Sequence, residues 1–354
     1  MKVAIIAAAA SPYTVKWANV LARKGERVTV FSLPEDKPET PEFLSEVSIN
    51  YLGMSRLQGG IKKDVPELKR MLAAGSFDSV CALGALDYGV MAMKAAHKFA
   101  LGILGPDLTA AALGAQKGLF KKAVRTAGAV VCPSAVAAEK VKNIYKKEKE
   151  IVVAPPGVNI YTFDKRDVEK EEGVFTVGCL KTLEHASGID LLIEAFVKFK
   201  EGYEGTAQLK LYGKGSMEAA LKQQCAQAGI SESVHFMGAL PNERMPQEIN
   251  KMDVVVNPSR SELFGVSTVE AMACKVPVIA TDTEGSSEII LNGVTGFTVK
   301  VGNAGAMAER LAEMAEDPEM TQKMGEKARG DVEDLYEINK CAEKFMKALM
   351  MVQK

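Results

Sequence analysis

The chain has 354 residues, more than one ordinary core accommodates, so two domains of about 150–200 residues are the expectation. An apolar content of 47% with 25% charged residues is that of a water-soluble globular protein, and a formal net charge of −1 gives no general attraction to nucleic acid. The six cysteines (81, 132, 179, 225, 274 and 341) form no CxxC pair and the three histidines are dispersed, which argues against a zinc cluster or disulfide framework and suits a reducing cytoplasm.

The first ten residues, MKVAIIAAAA, fit either a signal peptide or a buried strand. The next two segments favour the strand. TVKWANVLARKG places Val15, Ala18, Val20, Leu21 and Ala22 at roughly helical spacing and stops at Gly25, and RVTVFS then reads as a second strand. Further apolar runs put strands at 2–8, 27–32, 47–52, 78–83, 100–104, 129–132 and 151–153 in the first half. In the second half they fall at 174–179, 207–212, 233–236, 253–257, 277–280 and 296–299. Helices fit between them at 64–74, 88–98, 114–127, 135–146, 189–199, 216–228, 243–251, 267–274 and 303–315, with a last one from about 331 to 352. This alternation argues parallel sheets covered by helices. No run approaches the ~20 apolar residues of a membrane span.

PPGVNIYTFDKRDVEKEEG mixes prolines, a glycine and dense charge between two strand patterns, so the domain junction is expected near 164–173. The chain then divides into a first domain at 1–163, a second at 164–330 and a terminal helix at 331–354 that packs back on the first. Ligands of such doubly wound sheets bind at the carboxyl ends of the strands.

Three strand-to-helix turns in the second half suit a polyanion. TVGCLKTLEHASGID carries Gly178, Lys181, His185 and Gly188; LKLYGKGS carries Gly213, Lys214 and Gly215; PSRSELFGVSTVEA turns at Gly265. Exposed N–H groups at a helix start attract phosphate, with a dipole contribution of about 0.3–1 kcal/mol. Each turn alone has a steric explanation; three on one sheet argue for a ligand. Within the third, Ser267-Thr-Val-Glu270 fits a capping box, which leaves Glu262, Phe264 and Gly265 unexplained.

The segment SELFGVSTVEAMACKVPVIATDTEGSSEII resembles the donor-binding stretch of the family-four retaining glycosyltransferases. Their pattern has two glutamates separated by seven residues, F-G between them, then E-A-x-A-x-x-x-P-V-I-A. Here Glu262, Phe264, Gly265, Glu270, Ala271, Ala273, Pro277, Val278, Ile279 and Ala280 stand in register. VHFMGAL, MDVVVNPS and NGVTGFTV extend the similarity, as do TVKWANVLARKGERVTVFS and VVAPPGVN in the first half. The resemblance implies the GT-B fold, two Rossmann-like α/β domains facing across a cleft. It implies transfer of a sugar, with retention, from a UDP- or GDP-linked donor to a saccharide or lipid-linked acceptor, in the cytoplasm or at the inner face of a membrane. Cell-envelope polysaccharide synthesis is the implied setting. No metal and no cofactor is implied, and DTE at 282–284 is the nearest approach to a D-x-D motif.

By the same resemblance Glu262 faces the donor sugar, Phe264, Gly265, Val266 and Ser267 offer backbone N–H groups to sugar and diphosphate, and Glu270 binds the ribose. Gly178 and Gly213 belong to the donor turns. Asp107, in LGPD, matches an aspartate of the family's G-x-D turn and reads either as an acceptor-side catalytic residue or as a cap of the next helix. Ser11 and Lys16, with Tyr13 and Thr14, are offered to the acceptor side.

The departures are specific. Cys179 stands where relatives carry an arginine, Ala186 or Ser187 where they carry a lysine, and Leu83 where they carry a histidine. Lys181 is the expected replacement phosphate contact, with His185 and Lys214 nearby. A non-catalytic or weakly active nucleotide-sugar binder is the rival reading. LGAQKGLFKKAVRTAG at 113–128 reads either as a basic amphipathic membrane contact or as a surface helix with its apolar face in the core.

Overall fold

Parallel strands buried on both faces are near-continuous apolar runs, and each such run becomes a strand. In the computed structural model, which describes residues 1–38, 42–57, 60–114 and 116–353, the strands form two all-parallel sheets. The first contains β1 (Lys2–Ile6), β2 (Arg27–Ser32), β3 (Ser48–Tyr51), β4 (Ser79–Leu83), β5 (Ala100–Gly102), β6 (Ala129–Cys132) and β7 (Ile151–Val153), in the order β3-β2-β1-β4-β5-β6-β7. The second contains β8 (Val174–Leu180), β9 (Thr206–Tyr212), β10 (Val234–Gly238), β11 (Val254–Asn257), β12 (Val278–Thr281) and β13 (Gly296–Val299), in the order β10-β9-β8-β11-β12-β13. Winding reverses between β1 and β4 in one sheet and between β8 and β11 in the other, the switch points where doubly wound folds bind ligands.

Two compact units result, residues 1–156 with 338–354, and residues 157–337. The breaks thus fall at 156/157 and 337/338, where the charge run placed the first at 163/164 and the expected terminal helix placed the second at 330/331. The reason is bonding around 157–163. The Val158 N–H donates to the Tyr336 carbonyl at 2.8 Å, and the buried Arg329 guanidinium donates to the carbonyl of Phe163 at 3.0 Å. Phe163 itself is in the core of the second unit, so the charged stretch behind it is an exposed segment of that unit.

The expected terminal helix is broken. Helix Pro318–Asp331 leads into a π-type turn at Val332–Tyr336, Glu337 is non-helical, and a new helix runs over Ile338–Met350. Only the last helix belongs to the first unit, where Phe345 stacks on Trp17 at 4.3 Å between centroids. Tyr336 packs instead on Phe264 in the second unit, 5.6 Å between centroids.

Helices at Gly105–Ala112, Glu284–Ile289 and Pro318–Asp331 go beyond the sequence expectation: their sequences are short, or polar and glycine-containing, with weak periodicity. In the basic stretch 113–128, helix Lys117–Thr126 buries Phe120, Ala123 and Val124, so much of its apolar side is already in the core, while Leu113 is exposed and residue 115 lies outside the described residues. Among the described residues no helix is long and apolar enough to cross a membrane.

Candidate functional site

At the switch point of the second sheet, β8 delivers Lys181 and β11 delivers the loop carrying Glu262. Their side chains meet: Lys181 Nζ lies 2.5 Å from Glu262 Oε1, and the two are only 16% and 13% exposed. The other carboxylate oxygen, Oε2, accepts from Asn257 Nδ2 at 2.6 Å. Asn257 is itself fully buried, donating also to Thr268 Oγ1 at 3.0 Å and accepting from Ser259 Oγ at 2.8 Å. Glu262 is therefore not a loop acid adrift in solvent; buried polar partners fix its orientation.

The Lys181–Gly188 loop is held on both sides. On the β11 side, Arg260 makes a bidentate pair with Asp190 (2.8 and 2.7 Å) and donates to the His185 carbonyl at 2.7 Å. The pair raises the arginine's pKa and holds Asp190 below the ordinary carboxylate value, first through the hydrogen bonds themselves. On the β9 side, Leu183 N–H donates to the Lys214 carbonyl at 3.0 Å, and Ser216 donates to both Glu184 oxygens. His185, Ala186 and Lys214 are exposed on this rim.

The expected donor residues separate into groups. Lys181 and Glu262 meet, and Gly265, the cap of helix Val266–Ala273, lies beside Glu262. Gly265 sits against Thr268, and a Cβ on it would come 3.2 Å from Glu262 Oε2. Gly213 has φ +149°, and a Cβ there would meet the Lys181 carbonyl oxygen at 2.0 Å, so its place is to let two turns pack. Gly178 lies inside β8, facing Met252, whose sulfur a Cβ would approach to 1.9 Å; this is a packing position. Phe264 turns its ring into the core.

The capping box is not formed. Helix Val266–Ala273 starts one residue early, with Gly265 at its cap, which places Ser267 inside the first turn and Glu270 deeper in the helix. Glu270 is 8% exposed. Cys179 is fully buried, and burial pushes its thiol up to about 12, so that position holds a neutral group. Among the described residues no three His, Cys, Asp or Glu side chains converge as a metal site requires.

In the first unit, Asp107 is 6% exposed at the third position of helix Gly105–Ala112. Its oxygens accept from Leu104 N–H at 3.0 Å and Leu86 N–H at 3.2 Å, joining the helix start to the turn after β4. Burial raises its pKa against the lowering effect of those bonds. Ser11 holds the cap position of helix Pro12–Arg23 without a side-chain cap bond, and Lys16 is half-buried one turn on. Thr14 does not reach outward: it is fully buried, and its hydroxyl meets no hydrogen-bond partner among the described residues. Leu83 lines a small apolar cavity with Tyr13, Trp17, Ile103, Leu104 and Phe345.

Sequence reasoning passes over Asn257 and Arg260. Asn257 reaches Glu262 five residues on, a contact set by how the loop after β11 folds back and not by any residue pattern, while Arg260 and Asp190 are 70 residues apart, which no local spacing encodes. It also passes over Arg56, which pairs with Asp36 at 2.7 Å and Asp87 at 3.1 Å and lies over the Tyr88 ring, tying three turns of the first unit together.

Residues 161–331 match the family model for glycosyl transferases group 1, and residues 10–161 match that for glycosyltransferase family 4. The chain belongs to the family-four-like group 1 glycosyltransferases. This group 1 chain has the two-domain GT-B fold: it superposes on sucrose-phosphate synthase from Thermosynechococcus elongatus with a TM-score of 0.84 at 18% identity, covering 98% of each chain. Anabaena Alr3699/HepE, solved in complex with UDP, gives 0.78 at 18% identity over 99% of each. Among curated relatives, N-acetyl-alpha-D-glucosaminyl L-malate synthase of Bacillus anthracis is 28% identical over 57% of this chain and 54% of its own length. Lipopolysaccharide core biosynthesis mannosyltransferase LpcC of Rhizobium leguminosarum bv. viciae is 30% identical over 44% of this chain and 45% of its own. The group 1 chain thus spans about half the length of these relatives.

Proposed function

We propose that this protein is a retaining glycosyltransferase that moves a sugar from a nucleoside diphosphate sugar to a saccharide or lipid-linked acceptor without a metal ion. The observation that carries the reading is the pairing of Lys181 with Glu262 at the switch point of the second sheet, beside the start of helix Val266–Ala273. Family membership supports it, as do relatives named for glycosyl and mannosyl transfer and a structural neighbour solved with UDP-glucose. UDP is therefore the first nucleotide to try, with GDP next. Transfer would act in the cytoplasm, at the inner face of a membrane where the acceptor is lipid-linked.

In the proposed step, the acceptor oxygen bonds to the anomeric carbon on the face from which the diphosphate departs. The carbon–oxygen bond to phosphate breaks, and the acceptor's proton passes to the departing phosphate oxygen. The protein's part is electrostatic: Glu262 beside the sugar favours its developing positive charge, and Lys181 with the helix start favours the leaving diphosphate. Glu270 is assigned to the ribose. Asp107, buried and bonded within its own turn, is assigned to positioning the acceptor side, with Ser11 and Lys16 at the entrance of the first helix.

A thermal shift against UDP, GDP, ADP, dTDP and CDP, each with and without magnesium, tests the donor site. A ligand at ~100 times its dissociation constant adds ~2.7 kcal/mol. A shift with one base, unchanged by magnesium, followed by transfer with retained anomeric configuration in proton NMR, is the expected result. No shift with any nucleotide sinks the reading, a strict magnesium requirement removes the metal-free part, and an inverted product removes retention.

The second reading, a binder with little turnover, is favoured by Cys179. A buried neutral thiol stands where the resemblance calls for a cation, and losing one such donor typically costs about 10²–10³ in rate. Tight donor binding with no release of nucleoside diphosphate, across a panel of saccharide acceptors, would decide for it.

A further inference from the structure

Lys181 and Glu262 have opposite duties in the reading above, one toward the diphosphate and one toward the sugar, yet in this state they hold each other at 2.5 Å. We propose that this ion pair is a lock on the donor site, opened when the diphosphate takes Lys181 away from Glu262. The inference rests on the donor-site reading and adds what the ligand must do on arrival.

The surroundings make the exchange a side-chain event. The Lys181 backbone is pinned, its N–H donating to the Tyr212 carbonyl at 3.1 Å and its carbonyl packed against Gly213. Its ammonium sits on a flexible four-carbon stem. Glu262 is anchored independently: Asn257, fully buried and itself bonded to Thr268 and Ser259, holds Oε2. Withdrawal of the lysine therefore releases Oε1 alone, and the carboxylate keeps its place. A diphosphate carries more negative charge than one carboxylate, so it outcompetes Glu262 for the ammonium. Lys181 lies two residues beyond Cys179, at the first position after β8. The cation absent at Cys179 is supplied from the strand end, and the carboxylate keeps it parked until a ligand arrives.

The lock has a cost that binding can measure. Free nucleoside diphosphate must break the pair, so removing the carboxylate should tighten binding even as it removes a group needed for transfer. The test is isothermal titration calorimetry of the whole chain with UDP, or the nucleoside diphosphate selected by thermal shift, on wild type, Glu262→Gln, Lys181→Met and the double variant. The expected result is a gain of about tenfold for E262Q, a loss of about tenfold for K181M, and a double variant that binds like K181M. E262A should give the same gain if E262Q melts early. Binding by wild type with no gain in either Glu262 variant overturns the lock while leaving the donor site standing. A gain that persists in the double variant also overturns it, because the carboxylate would then act by general repulsion of the anion and not by holding Lys181. No binding by any of the proteins overturns the lock together with the donor-site reading.

Discussion

Thr14 and Asp107 are both polar groups buried in the first unit, and a substitution that removes the cost of burial should show at each, independently of pH at one and with pH at the other. The Thr14 hydroxyl is fully buried without a partner among the described residues, so it bears a desolvation penalty with no bond in return. Thr14→Val keeps the shape and removes the hydroxyl; a gain of about 1 kcal/mol, seen as a melting temperature higher by ~2–4 °C, is expected. Asp107 accepts two backbone N–H bonds, yet burial still raises its pKa. A carboxyl whose folded pKa lies above its unfolded value contributes stability below the unfolded pKa, and that contribution is lost as pH rises through the folded one. Melting curves from pH 4 to pH 7 should therefore show wild type losing ground to Asp107→Asn as pH rises. A difference independent of pH would mean that the carboxyl does not titrate differently in the folded chain.

At the scale of elements, the Lys181–Gly188 loop is the part on which the site depends. Gly188 has φ +69°, and a Cβ on it would lie 2.1 Å from the Pro258 carbonyl oxygen, so the loop is pressed against the loop that carries Glu262. Gly188→Ala combines backbone strain of about 1–3 kcal/mol with a clash that pushes these two loops apart. A lower melting temperature and a donor affinity weaker by about tenfold or more should be seen in thermal shift and calorimetry. Arg260→Met should differ in character. The Arg260–Asp190 pair is a quarter or more exposed, so solvent screening limits its share of stability to about 0.2–1 kcal/mol, while the freed loop should raise the donor KM with a smaller change in kcat. The strands are readable because a parallel strand buried on both faces is an apolar run, as Val3–Ile6 is. Lys181 is readable as a candidate because β8 ends beside it, and Glu262 because of the two-glutamate pattern; their pairing is not, since it depends on which strands become neighbours. Ser267 misleads because Gly265 takes the cap position two residues earlier. The junction is misplaced from sequence because a charged surface segment and a linker look alike until Arg329 and Val158 show where 157–163 is bonded.

Over the whole molecule, each unit has its own core, and the first draws Ile338, Cys341, Ala342, Phe345 and Leu349 from beyond the second. A fragment of residues 157–337 should fold alone and reproduce the nucleotide-dependent thermal shift of the full chain. Removing 338–354 from the full chain should abolish cooperative melting of the first unit and leave the second unit's transition in place, measured by circular dichroism and calorimetry. A truncated chain that still shows both transitions would contradict the core assignment. Because the second unit interrupts the first, synthesis and folding run out of step. At about 5–20 residues per second a ribosome needs roughly 10–40 s to pass from residue 156 to 338, and throughout that interval the earlier-made unit lacks the helix that closes its core. The later-made unit is complete before the earlier one, so a nascent chain has a finished second sheet while the first still shows apolar surface to chaperones. A premature stop just before Ile338 would spoil the half of the protein translated first.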